Sequence, residues 1–207
     1  MVQKSSGTAP KGRPLAFQRD TVLDAAMRLF WAKGFERTSL EDLEKRTGLS
    51  RSSLYNTFGS KRELFEQALT WYLEMLDRQL LGPLESGTEG LADVRRFIDR
   101  LASQLAPGSI AGCLLTNSLA EFGGKDGRVV RQGQDYLDRA RGSISAALTR
   151  AAAFGEVDAA SVEPRSELLL GLVLAINLVA RSGVGERDLR PLVAAVHAEV
   201  DLWHLPS

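Results

Sequence analysis

The sequence predicts an all-α protein in two parts, a three-helix head and a larger helical body. Three observations carry that reading. Apolar residues recur three and four positions apart from about residue 16 almost to the end, Gly- and Pro-bearing segments punctuate them, and no segment alternates convincingly as a strand does. With 207 residues and 44% hydrophobic content, the chain can bury a substantial core as one or two domains.

Residues 1–14, MVQKSSGTAPKGRP, are polar, basic and rich in Gly and Pro, a composition expected to stay disordered as a basic arm. Within it, Lys11-Gly12-Arg13-Pro14 resembles the core of an AT-hook, in which an extended arginine such as Arg13 enters a narrow A·T minor groove. A plain charged tail is the competing reading. The first helix is expected over about residues 16–33, with Val22, Leu23, Ala26, Met27 and Phe30 on its buried face and Gly34 ending it.

The stretch RTSLEDLEKRTGLSRSSLYNTFGSKRELF, residues 37–65, reads as two short helices joined by a glycine turn and followed by a third. Leu40 and Leu43 give the first an apolar face, Gly48 breaks it, and Leu54 and Phe58 mark one face of the second. Ser50 is placed to cap the second helix, and Ser60 with Glu63 forms a capping box opening the third. The pattern is a helix-turn-helix. A head over residues 15–62 and a body over 63–207 follow.

A longer helix is expected from Lys61 to about Leu81, connecting the two parts, with GPLESGTEG at 82–90 as a loop. Four further helical patterns follow, broken at 107–108, 123–127, 155–164 and 182–190. One of them, over 128–154, sets Val129, Gly133, Tyr136, Leu137, Ala140, Ile144, Ala147, Leu148 and Ala151 along a stripe. The helix around 165–181 is apolar nearly all round, so one side can face its own core while the other needs a partner. Gly171 and Ala175 permit close approach, and Pro191 opens a last helix carrying Leu192, Ala195, Val196, Leu202 and Trp203. The last two helices are therefore expected to pair across a two-fold axis in a homodimer, against the alternative of a monomer that buries both.

In a helix-turn-helix the second helix lies in the major groove of double-stranded DNA. Its outward set here is Arg51, Ser52, Ser53, Tyr55, Asn56 and Thr57. Arg51 suits a bidentate contact to guanine and Asn56 one to adenine, whereas Ser53, Thr57 and the Tyr55 hydroxyl suit phosphates or either base. Lys61 and Arg62 in a first helical turn, where positive charge is unfavourable, suggest a phosphate site. Thr38 and Ser39 offer hydroxyls and free amides for another, and Ser50 borders the reading helix. A solvated, merely well-capped trihelical core is the bland alternative.

Charge distribution agrees with a polyanionic partner. Although the net charge is zero, residues 1–62 hold twelve Lys or Arg against six Asp or Glu, and the remainder carries the compensating negative excess. DNA binding should therefore weaken steeply with salt. The single cysteine, Cys113, excludes an intramolecular disulfide framework and suits a reducing interior. The longest apolar run, residues 168–180, is shorter than the ~20 residues a membrane span needs. No secretory signal is visible, and a cytoplasmic, membrane-free protein is expected.

The head resembles the tetracycline-repressor (TetR) family of bacterial transcriptional regulators. Ala25, Ala26, Phe30, Gly34, Phe35, Thr38, Ser39, Leu43, Gly48, Leu49, Ser50, Ser53, Leu54, Tyr55, Phe58, Ser60, Lys61, Leu64 and Phe65 carry the likeness, which covers about residues 15–70. It implies a dimeric all-helical body, DNA binding released by an effector, and phosphate contacts from Thr38, Tyr55 and Lys61. The chain departs from many relatives in having Asn56 and Thr57 where Tyr-His is usual and Glu44 where a small residue is common.

The resemblance further implies a small-molecule effector held in a mostly apolar cavity of the body. Trp71, Tyr72, Met75, Phe97, Cys113, Asn117, Phe122, Tyr136 and Asn177 are the candidates, with core packing the competing role for each. Asn117 and Asn177 stand out because an amide within an apolar helix must find a hydrogen-bond partner. The segment GCLLTNSLAE, residues 112–121, is similar to a Gly-Cys-Leu segment of a subgroup of these regulators, some of which sense electrophiles or oxidants. Two readings of Cys113 stay open: a thiol activated at a helix N-terminus, or a small buried hydrophobe.

An enzyme finds little support. The two histidines, His197 and His204, have no carboxylate pair or nucleophile beside them to complete a catalytic or metal set, and no phosphate-binding fingerprint accompanies a strand. No cofactor is expected. A DNA-binding architectural protein without an effector is the remaining alternative.

Overall fold

Helix α1 (Leu15–Lys33) opens the computed structural model, which describes residues 15–105, 112–123, 127–182 and 189–205. The basic arm with Arg13, the break at 107–108 and parts of two later breaks lie outside the described residues. Among those described, every regular element is helical. The expected inner face of α1 is buried, with Ala26, Met27 and Phe30 fully so. Phe30 meets Phe65 of α4 (Lys61–Leu76) edge to face, with ring centroids 5.2 Å apart.

Helices α2 (Leu40–Thr47) and α3 (Arg51–Phe58) close the head. Gly48 ends α2 at φ 73°, a left-handed conformation that a side chain resists, and its N–H returns to the Glu44 carbonyl. Ser39, Ser50 and Ser60 cap the three following helices, each accepting from the backbone N–H three residues on. Ser39 with Asp42 and Ser60 with Glu63 make reciprocal capping boxes.

The connecting helix differs from the sequence expectation. α4 stops at Leu76, a π-helical turn covers Asp77–Leu81, and α5 (Gly82–Glu85) continues into the segment expected as a loop. Pro83 gives the reason: it has no N–H for the carbonyl four residues back, and the wider turn, closed from Gly82 N–H to Asp77 O, accommodates it. The register brings Leu80, Leu81 and Leu84 all into the core.

The body continues with α6 (Leu91–Gln104), α7 (Leu114–Phe122), α8 (Gly127–Ala153), α9 (Val162–Arg181) and α10 (Arg190–Asp201). Pro164 falls inside the first turn of α9 rather than in the break before it, where its missing N–H costs nothing. α8 packs along α9, and α10 lies against α6. Gly133 of α8 lets Leu119 of α7 approach so closely that an added Cβ would stand 2.8 Å from its methyl carbon. No helix among the described residues is long and apolar enough to cross a membrane.

Candidate nucleic-acid interface and effector cavity

The outward face of α3 is built by anchoring the inward one. Leu54 and Phe58 are buried against the head, which leaves Arg51, Ser52, Tyr55, Asn56 and Thr57 exposed and Ser53 half-buried. Glu44 of α2 receives the backbone N–H of Arg51 at 2.6 Å and faces its guanidinium at 3.9 Å. A carboxylate thus occupies the N-terminus of the reading helix, where unpaired amides favour an anion. The Ser50 hydroxyl accepts the Ser53 N–H and sits 3.1 Å from Ser52 Oγ.

The flanking groups divide. Ser39 is exposed at the start of α2, with its Oγ accepting the Asp42 N–H. Its partner Asp42 is held well below the usual carboxylate range, down to about 2, by Lys33 first and then by the Ser39 amide and hydroxyl. Thr38 is fully buried, its hydroxyl donating to Gly34 O at 2.6 Å and its N–H to Phe35 O. This corrects the expectation of a hydroxyl offered to phosphate: Thr38 spends both donors on the turn after α1. Lys61 stands at the mouth of α4 with its ammonium 4.3 Å from the Phe35 ring centroid. Arg62 turns inward instead, over Phe122 at 4.4 Å and Phe35 at 5.4 Å, so its role is to join head and body.

The body, together with α1, lines a partly open cavity of about 50 Å³. Of the expected lining, Tyr72, Phe97, Cys113, Tyr136 and Asn177 meet there. The Tyr72 hydroxyl donates to Cys113 Sγ at 3.3 Å, and Cys113 is buried at the N-cap of α7. Burial pushes both tyrosine hydroxyls up, so they are neutral donors at physiological pH. Asn177 donates its amide to Val173 O at 2.9 Å.

The other four candidates lie elsewhere. Trp71 and Met75 sit one residue before Tyr72 and Leu76 of α4, rotated by about 100° away from the cavity. Trp71 lies under the Arg78 guanidinium, while Phe122 joins Phe35 and Phe65 in an aromatic cluster between head and body. Asn117 borders an open groove at that same junction, its amide nitrogen buried without an acceptor.

The sequence pattern did not single out Trp31, which also lines the cavity although it belongs to the head helix α1. The available signal was its place four residues after Met27, widening the apolar face of α1 beyond what the head alone needs. His197 pairs with Asp99 of α6 at 2.9 Å, and His204 lies past the end of α10, so the two histidines do not converge.

A polar helix capped by Ser50 and by Glu44 of α2, displayed on a three-helix core and carried on a long helix into a helical body, defines a helix-turn-helix DNA-binding regulator. The family model for "Bacterial regulatory proteins, tetR family" matches residues 22–68. The chain is 29% identical over 199 residues to the HTH-type transcriptional repressor ComR of Escherichia coli (strain K12), across 93% of this chain and 92% of that one. A cysteine mutant of the TetR family transcriptional regulator CifR, complexed with 26-bp double-strand operator DNA, aligns with a TM-score of 0.77 at 26% identity, over 93% of this chain and 100% of that one. A TetR-family regulator from Agrobacterium tumefaciens shares the fold with a TM-score of 0.80 at 19% identity, over 92% and 99% of the two chains. Residues 22–68 thus form a DNA-binding domain of the TetR type, and the whole chain is similar to regulators that carry it.

Proposed function

We propose that the protein is a cytoplasmic transcriptional repressor that binds a pseudo-palindromic operator as a homodimer and releases it when a small molecule occupies the body. The observation that carries this reading is the polar outer face of α3, held rigid by Leu54 and Phe58 beneath it. Arg51 and Asn56 read base edges, while Tyr55, Thr57, the serines around them and Lys61 hold the backbone. The likeness to a regulator solved on operator DNA supports this docking.

Dimerisation is supported by what α9 and α10 leave uncovered. Leu168 and Leu178 of α9 are 44% and 69% exposed, with Gly171 and Ala175 exposed between them at heptad spacing. Pro191, Ala194, Ala195, Ala198 and Leu202 form the corresponding face beside α10. Two such faces stack as a four-helix bundle and place two α3 helices on successive turns of one face of DNA.

Release follows if the effector prefers the head spacing that does not fit the operator. α4 is the lever: Lys61 at its start flanks the reading helix, and Tyr72, about 16 Å along it, lines the cavity. Selection of bound duplexes from random DNA, with light scattering on the free protein, tests the proposal. An inverted repeat and a particle of twice the chain mass are expected. A site without two-fold symmetry, or a monomer, would overturn the dimeric reading.

A further inference from the structure

We infer that the effector is a compact, uncharged, mostly apolar molecule bearing a hydrogen-bond acceptor, and that this acceptor takes the indole N–H of Trp31, a residue of the DNA-reading head. The inference rests on the proposed ligand cavity and names what enters it.

The lining sets the chemical class. Among the described residues around the cavity, none carries a charge; the polar groups are the tyrosine hydroxyls, the Cys113 thiol, the Thr116 hydroxyl and the amides of Gln104 and Asn177. An ion placed there would lose its hydration with no countercharge to replace it. At about 50 Å³ the space is well below the ~150 Å³ that holds a benzene ring, so it suits a molecule of only a few heavy atoms.

Trp31 supplies the polar anchor. Its Nε1 is buried and has no hydrogen-bond acceptor, while its ring meets Tyr72 edge to face at 5.0 Å. A buried donor left unpaired is unfavourable, so a ligand that brings an acceptor gains what an apolar one of the same shape does not. The position of Trp31 gives that bond a consequence. The residue lies in the last turns of α1, and its carbonyl accepts from the Arg181 guanidinium of α9 at 3.4 Å. Gly112 of the body packs against that same arginine, where an added Cβ would stand 2.8 Å from Arg181 Cβ. A ligand bonded to Trp31 therefore acts on the head directly, in addition to any movement of α4.

Three probes of four heavy atoms test this on the full-length protein: acetone, isobutene, which has the same shape without the acceptor, and acetate. The Trp31 indole N–H signal, assigned through Trp31→Phe, and the methyl signals of Leu101, Leu170 and Val173, which line the cavity, are followed by NMR. Acetone should move the Trp31 signal downfield, isobutene should perturb the methyl signals without that shift, and acetate should do neither. Trp31→Phe should weaken acetone binding about fivefold relative to isobutene. Acetone binding in the cavity with an unmoved Trp31 signal and an unchanged acetone-to-isobutene ratio in the variant would overturn the anchor while leaving the cavity as a ligand site. Preferential binding of acetate would overturn the neutral class, and failure of every probe to perturb a cavity signal would overturn the cavity itself.

Discussion

The carboxylate of Glu121, on the body helix α7, accepts the backbone N–H of Glu36, in the head, at 2.7 Å. Its other oxygen accepts the N–H of Phe35 at 3.0 Å, so one side chain caps two amides just beyond the end of α1. Cys113, the N-cap residue of α7, lines the cavity, and the helix ends beside this latch. The head is thus held by the same helix that feels the cavity.

Replacing Glu121 with Ala removes both bonds. Stability should fall by roughly 1 to 3 kcal/mol, as expected for hydrogen bonds to a charged acceptor, read as a lower urea midpoint. DNA affinity without effector should change little, while release by effector should be blunted. Unchanged stability would show that the latch contributes nothing.

Glu44 restrains the reading helix by holding Arg51 at its backbone and guanidinium. Glu44→Gln should therefore tighten binding to random and selected duplexes alike, eroding discrimination, because a negative charge is removed from a surface that faces phosphates. Salt titrations on both duplexes measure this. A variant that weakens binding to every duplex would show Glu44 to be supportive instead.

Asp42 makes part of the head's stability sensitive to acid. Its folded pKa, about 2, lies below the ordinary 3.8, so its contribution is fully present above about pH 4 and is lost as pH falls toward 2. Asp42→Asn should flatten the stability profile in that window and leave its shape near neutrality unaltered. Acid titrations of chemical denaturation midpoints give the comparison.

Cys113 is the acceptor for the buried Tyr72 hydroxyl. Cys113→Ser keeps an acceptor, whereas Cys113→Ala leaves the hydroxyl proton without its acceptor and should cost about 1 to 3 kcal/mol more in thermal or chemical unfolding. If the thiol only packs and accepts this bond, Cys113→Ser retains release by small molecules and oxidants. Loss of release in that variant would assign the thiol a sensing role.

The helical head was legible because local chemistry decides it: Ser39, Ser50 and Ser60 cap, Gly48 turns, and Leu54 and Phe58 choose the buried face of α3. What escaped the sequence depends on tertiary register. Thr38 reads as an exposed hydroxyl until Gly34 O claims it, and Arg62 reads as a phosphate ligand until Phe122 arrives from a distant helix. Along α4, Trp71 and Tyr72 are equally aromatic, and only the rotation of the helix sends one outward and the other to the cavity. Continuation of helix through Pro83 was concealed by a residue that usually breaks one and here sits just after a π turn.

The outer face of α3 reading DNA is the claim on which the rest depends, and fluorescence anisotropy with two duplexes at fixed salt tests it most directly. Wild-type protein should prefer its selected duplex over a random one by about 10³-fold or more, and Arg51→Ala or Asn56→Ala should lose roughly 1 to 3 kcal/mol on the selected duplex alone. Equal binding of wild type to both duplexes, or variants indistinguishable from it on the selected one, would contradict the account.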